Sequence, residues 1–173
     1  MCFSEKDIEF MNLALDEANL ALENGDYPVG SVLIIDGVFI GKTRNSLNSK
    51  KDWNSHAEAS LIQSCSSIIK DKIKSNKSKV ELFTTLEPCL MCLGSSILHR
   101  VSRIVFACPD PHGGATNLDK KSLPEWYSRK WPIIEGGLLR SHSYDLIIKF
   151  LQKQDTKGWN KILTMYEKMH QEW

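Results

Sequence analysis

Apolar residues at Ile8, Met11, Leu15, Ala18 and Leu22 recur every three or four positions, which is the spacing of one helical face. Asn24-Gly25-Asp26 ends this predicted helix, because glycine takes the left-handed conformation that terminates helices at no steric cost. From Val29 to Ile35 the chain is almost continuously apolar and reads as a buried strand. Asp36-Gly37 is a hairpin turn signal, and Val38 to Thr43 returns as a second strand. Arg44 to Asn54 is polar and reads as a loop. Ala59, Leu61, Ile62, Cys65 and Ile69 then form the face of a second helix. Ser55 stands where it would cap that helix, with Glu58 three residues on as the other half of a capping box. Lys70 to Lys79 carries five lysines among Ser and Asn and reads as a solvated loop.

Val80 to Thr85 is a third predicted strand, Leu90 to Leu98 a helix and Val101 to Cys108 a fourth strand. A strand–helix–strand unit of this length is a crossover, so strands three and four should be parallel. Pro109 to Pro132 is loop-like, Pro132 to Glu135 reads as a short fifth strand, and Gly136-Gly137 ends it. Ser143 to Gln152 is helical, and so is Trp159 to His170, with Ile162, Met165, Tyr166 and Met169 on one side. The pattern predicts an α/β protein with a central five-stranded mixed sheet flanked by helices. The 173 residues suit one domain, with a core over about 8–153 and a helical extension over about 156–173.

Composition changes this picture little. A hydrophobic fraction of 42% with 25% charged residues is that of a soluble globular chain. No stretch approaches the ~18 apolar residues of a membrane helix, and the first residues lack a signal-peptide pattern, so a cytoplasmic protein is expected. Five cysteines in such a chain point to reduced thiols, with Cys2, Cys65 and Cys108 as spare or core residues. A formal net charge of +1 is not the broadly basic balance of most nucleic-acid binders, but it leaves room for a local patch.

The chemistry concentrates in Thr85-Leu86-Glu87-Pro88-Cys89-Leu90-Met91-Cys92. Proline favours the first turn of a helix, so Cys89 and Cys92 should open the Leu90 helix and share one side of it. Thiolates there are favoured by the positive end of the helix dipole. His56, at the start of the second helix, supplies a third donor, and no convincing fourth exists in the sequence. Structural zinc sites usually close with four protein ligands, whereas catalytic sites keep a position open. Glu58 lies two residues beyond His56, close enough to serve water at that position without being a ligand.

His56-x-Glu58 with Pro88-Cys89-x-x-Cys92 is the signature of zinc deaminases. With Tyr27-Pro28-Val29-Gly30, it makes the chain resemble the cytidine deaminase superfamily from about Met11 to Ile148. Within that superfamily it looks most like the bacterial tRNA adenosine deaminases and the related guanine and cytosine deaminases. The resemblance implies a three-layer α/β/α cytidine-deaminase-like fold, one Zn²⁺ per chain on His56, Cys89 and Cys92, and Glu58 as the catalytic proton shuttle. It implies substrate contacts at Asn45, Val29, Ala57 and Asp110, and a homodimer, to which apolar residues of the Leu90–Leu98 helix would also contribute. The reaction implied is hydrolytic deamination of a nucleobase, foremost tRNA adenosine to inosine. The alternatives are a free base, nucleoside or nucleotide (guanine, cytosine or cytidine, deoxycytidylate), or a non-enzymatic RNA-binding or partner subunit, which the intact Glu58 speaks against. Two departures bear on the substrate. Pro109 stands where the bacterial tRNA enzyme commonly has arginine, and Leu151-Gln152-Lys153-Gln154-Asp155 replaces its arginine-rich tail. Trp126-Tyr127-Ser128-Arg129-Lys130-Trp131 mixes aromatic and basic residues, as an RNA-stacking surface, a hydrophobic lid or a subunit contact would.

Overall fold

The computed structural model describes residues 3–74 and 78–173. Helix α1 (Glu5–Glu23) opens on a capping box in which Ser4 and Asp7 exchange side-chain and backbone hydrogen bonds. It ends at Asn24, with Gly25 at φ 77°. Strands β1 (Gly30–Ile35) and β2 (Val38–Arg44) form an antiparallel hairpin. Asp36 and Gly37 both have positive φ, the geometry of a tight two-residue turn. A short helix α2 (Leu47–Lys50) interrupts the polar connection to α3 (Ala57–Ser64) and α4 (Ser66–Ile73). Then follow β3 (Val80–Leu86), α5 (Leu90–Leu98), β4 (Arg103–Cys108), α6 (Glu125–Ser128), β5 (Ile133–Gly136), α7 (Arg140–Leu151) and α8 (Lys157–Gln171).

The sheet order is β2-β1-β3-β4-β5. β1 is antiparallel to both β2 and β3, while β3, β4 and β5 run parallel, so the sheet is mixed as the pattern predicts. Alternation along the strands divides the core. Leu33, Ile35, Leu82 and Ile104 face Leu61, Ile62, Ile69, Leu93 and Ile97 from α3, α4 and α5. Val32, Ile34, Phe83 and Val105 face Met11, Leu15 and Ala18 of α1 and Leu146 of α7. Three layers result, with helices on both faces. Gly30 is required where β1 meets α1, since a Cβ there would overlap the Ala14 carbonyl oxygen.

Several boundaries differ from the sequence expectation. The second helix divides at Cys65, yet Leu61, Ile62, Cys65 and Ile69 still share one core cluster. Lys70 and Lys72 belong to α4 rather than to a loop, because Ile69 is fully buried and Ile73 packs beside it; residues 75–77 of that expected loop lie outside the described residues. Ser55 is not the cap of α3. Its hydroxyl donates to Asp52 Oδ2 at 2.8 Å, and extended His56 takes the N-cap position. Local side-chain turns of this kind compete with helix caps for the same hydroxyl.

The sheet is clamped at its far end by Arg103, which reaches Asp7 on α1, Glu81 on β3 and Glu135 on β5. The C-terminal helix α8 joins the core through fully buried Tyr166, packed with Tyr144, Ile147 and Phe150 of α7.

Candidate active site and metal centre

β3 and β4 end side by side, with Leu86 paired to Cys108, and the chain beyond β3 turns directly into α5. Cys89 is the extended N-cap of α5 and Cys92 lies in its first turn, as proline before the pair favours. His56 is the N-cap of α3, so two helix starts converge. His56 Nδ1 lies 3.6 Å from both the Cys89 and the Cys92 sulfur. The donor atoms of the three residues all lie within 4.8 Å of one another.

This donor set fits zinc. Two thiols and an imidazole are the soft and borderline ligands it prefers, and three protein donors leave one tetrahedral position for water. The protons report the same crowding. Cys92 donates to Cys89 and holds that thiol down to about 4, with His56 assisting. Cys92 is correspondingly pushed up, since it carries the proton of the pair. His56 is raised by its hydrogen bond to Cys89. A metal ion replaces the protons that these groups otherwise share.

Glu58 stands beside the cluster, 4% exposed, on the first turn of α3. Burial pushes its carboxyl up to about 7. A group poised near neutrality can both take and return a proton.

Above these residues opens a cavity of about 430 Å³. His56, Glu58 and Cys89 lie on its wall, and so do Asn45, Val29 and Asp110. Asn45 Oδ1 accepts the Leu47 N–H at 3.0 Å, which leaves the amide NH₂ for the cavity. Ala57 is not among the lining residues. It lies fully buried with Val29 and Leu86, its carbonyl accepting the Thr43 hydroxyl.

Sequence reasoning missed part of the wall. Glu87, 6% exposed, accepts the Asp110 N–H, the Thr116 N–H and the Thr116 hydroxyl. This carboxylate ties residues 110–116 across Pro88 and Cys89, and Gly114 is needed because a Cβ would overlap Glu87. Trp159 and Ile162 of α8 close the other side. Trp159 stacks on Tyr27 at 6.0 Å and meets Phe150 edge-on at 5.6 Å. The Tyr166 hydroxyl donates to Asp110 Oδ1 at 3.1 Å, so α8 also holds a cavity carboxylate in place. The only hint in the sequence was the one-sided apolar pattern of the last helix. The segment 126–131 does not reach the cavity. Tyr127 and Trp131 pack against the core, and the Lys130 ammonium covers the Trp126 ring at 3.1 Å.

Two cysteines beyond the carboxyl end of β3 and a histidine at the start of α3, beside a buried carboxylate in an open cavity, define a zinc-dependent hydrolase of α/β fold. Residues 4–108 match the cytidine and deoxycytidylate deaminase zinc-binding region, and the chain belongs to that deaminase family. It is 30% identical to the tRNA-specific adenosine deaminase of Agrobacterium fabrum over 146 residues, covering 84% of this chain and 93% of that protein. Its identity to the tRNA-specific adenosine deaminase of Aquifex aeolicus is 36% over 143 residues, covering 78% and 91%. A solved tRNA:A34 deaminase, of those that edit A to I at the wobble position of transfer RNA, superposes with a TM-score of 0.68 at 31% identity. That match covers 80% of this chain and 98% of the other. Guanine deaminase from Nitrosomonas europaea shares the fold, with a TM-score of 0.67 at 19% identity over 87% of this chain and 86% of its own.

Proposed function

We propose that this protein converts adenosine to inosine in tRNA, with Glu58 moving the proton. The observation that carries the chemistry is a buried carboxylate, pushed up to about 7, beside a three-donor zinc cluster on the wall of one cavity. The substrate rests on relatives named tRNA-specific adenosine deaminases at 30% and 36% identity over most of the chain. His56, Cys89 and Cys92 would hold the zinc, which when bound would lower the pKa of a water towards ~7 and so supply the nucleophile. Glu58 takes the proton of that water and gives it to the ring nitrogen next to the amino-bearing carbon. The oxygen adds to that carbon, and Glu58 then takes the remaining proton of the added hydroxyl and passes it to the departing amine. The C–N bond breaks, ammonia leaves and a carbonyl remains. Asn45 hydrogen-bonds the base, Val29 forms its apolar wall and Asp110 serves the ribose. Ala57, its side chain buried, contributes through its backbone alone.

A second reading, deamination of a free base or nucleoside, is favoured by one observation. Among the described residues, no Lys or Arg lines the cavity, while Trp159 and Ile162 narrow it. Incubation with an anticodon stem-loop, followed by nucleoside analysis, decides between them. Inosine in the RNA supports the first reading; ammonia from free bases or nucleosides alone replaces it with the second.

Leu90, Met91 and Leu98 of α5 are 67%, 37% and 54% exposed, a stripe that a second copy would cover, and a homodimer is part of this proposal. Light scattering that finds only monomer over a wide concentration range removes it. No helix among the described residues is long and apolar enough to cross a membrane. A tRNA substrate supports a cytoplasmic location, which is part of this proposal.

A further inference from the structure

Trp53 lines the catalytic cavity and is 82% exposed, more than any other large apolar side chain among the described residues. The other tryptophan of the cavity is already engaged, stacked on Tyr27 and edge-on to Phe150. No aromatic ring or cation packs on Trp53 among the described residues. An indole left in water at the rim of a site costs solubility and gains the fold nothing.

The backbone that carries Trp53 is nevertheless fixed. Buried Asp26 accepts the Asn48 and Ser49 N–H groups at 2.8 and 3.0 Å and holds α2 against the core. The Asp52 N–H donates to the Leu47 carbonyl, and the Asp52 carboxylate accepts the Asn54 N–H and the Ser55 hydroxyl. Lys51 takes the left-handed conformation at φ 54° that turns the chain. Lys50 and Lys51 are both exposed and immediately precede this turn. Among the described residues neither forms a salt bridge, although Lys50 is close enough to act on the Asp52 charge. An exposed ring on a rigid turn that also carries two exposed lysines has the composition of a single-strand nucleic-acid subsite. There, bases stack on aromatics while lysines hold phosphates.

We propose that Lys50, Lys51 and Trp53 bind the nucleotide adjoining the target base in RNA, with Trp53 stacked on the neighbouring base and the lysines on its phosphates. This inference rests on the RNA reading given above. It moves the aromatic–basic surface from residues 126–131, whose rings are packed or covered, to the rim of the site.

The test compares wild type, Trp53→Ala, Trp53→Phe and a Lys50→Gln/Lys51→Gln double variant on an anticodon stem-loop. Zinc content and melting temperature serve as controls for the fold. Trp53→Ala should raise KM by about 5- to 150-fold, the range that stacking of one base is worth, with the larger change in KM rather than kcat. Trp53→Phe should recover most of that loss. The double lysine variant should flatten the log–log dependence of RNA affinity on salt by about 1.4, the counterions of two single-strand phosphates. An unchanged KM in Trp53→Ala, no recovery in Trp53→Phe, or a loss of zinc or dimer in its place overturns the subsite and leaves the RNA reading standing. Wild type that deaminates free bases or nucleosides but no RNA overturns both.

Discussion

Cys89 and Cys92 hold one proton between them, which keeps Cys89 ionised down to about 4 and Cys92 protonated. The pair is therefore half prepared for a cation, and replacing either sulfur should undo it. Cys92→Ser is expected to purify with well under one zinc per chain by elemental analysis, since a serine hydroxyl stays protonated at neutral pH. Zinc should also be lost from the wild type as pH falls, because the metal and protons compete for the same donors. These donors were legible in the sequence because each lies in a short local motif whose spacing the helix starts preserve. Ser55 departs from its expected capping role because a competing acceptor, Asp52, lies only three residues away and captures the hydroxyl. Glu87 was not legible as a loop anchor. Its partners, Asp110 and Thr116, are 23 and 29 residues away, and only the fold brings them to it.

Between elements, close approach decides. β1 crosses α1 at Gly30, where any side chain would overlap backbone. Gly30→Ala is expected to lower stability by about 1–3 kcal/mol or more, the usual cost of overpacking, read from the denaturant midpoint. A wild-type midpoint would show that the helix can retreat freely. The strap over residues 110–116 obeys the same rule. Gly114→Ala drives a methyl into the Glu87 carboxylate and should displace Asp110. Activity is then expected to fall more through kcat/KM than stability falls. The order of helices and strands was legible because strand alternation and helical spacing are strong over these lengths. The break at Cys65 and the short α2 were not, since both sit within stretches whose polarity alone permits helix or loop.

At the scale of the molecule, Arg103 joins α1, β3 and β5 through three carboxylates. Burial would raise the Asp7 carboxyl, but hydrogen bonds from Arg103 and Ser4 outweigh it and hold Asp7 below its ordinary range. A carboxylate lowered on folding stabilises the protein above its unfolded pKa of about 3.9, and that stability disappears as pH falls through the lower folded value. Arg103→Met should weaken this acid dependence, leaving the part that Ser4 supplies, and cost about 3 kcal/mol, because three carboxylates lose their partner. The C-terminal helix was predicted as an extension, and we propose that it forms one unit with the rest. Tyr166 is fully buried and Trp159 walls the cavity, so a chain ending at Gln154 should melt markedly lower and bind substrate poorly. The deaminase chemistry of the whole protein converges on Glu58. Glu58→Gln keeps the shape of the side chain and leaves His56, Cys89 and Cys92 in place, but it cannot carry a proton. Zinc per chain and rate of turnover, measured together on this variant, separate a proton shuttle from a helix cap. A proton shuttle at Glu58 predicts about one zinc retained and turnover reduced by at least ~10²–10⁴. A variant that keeps its zinc and turns over at close to the wild-type rate would contradict it.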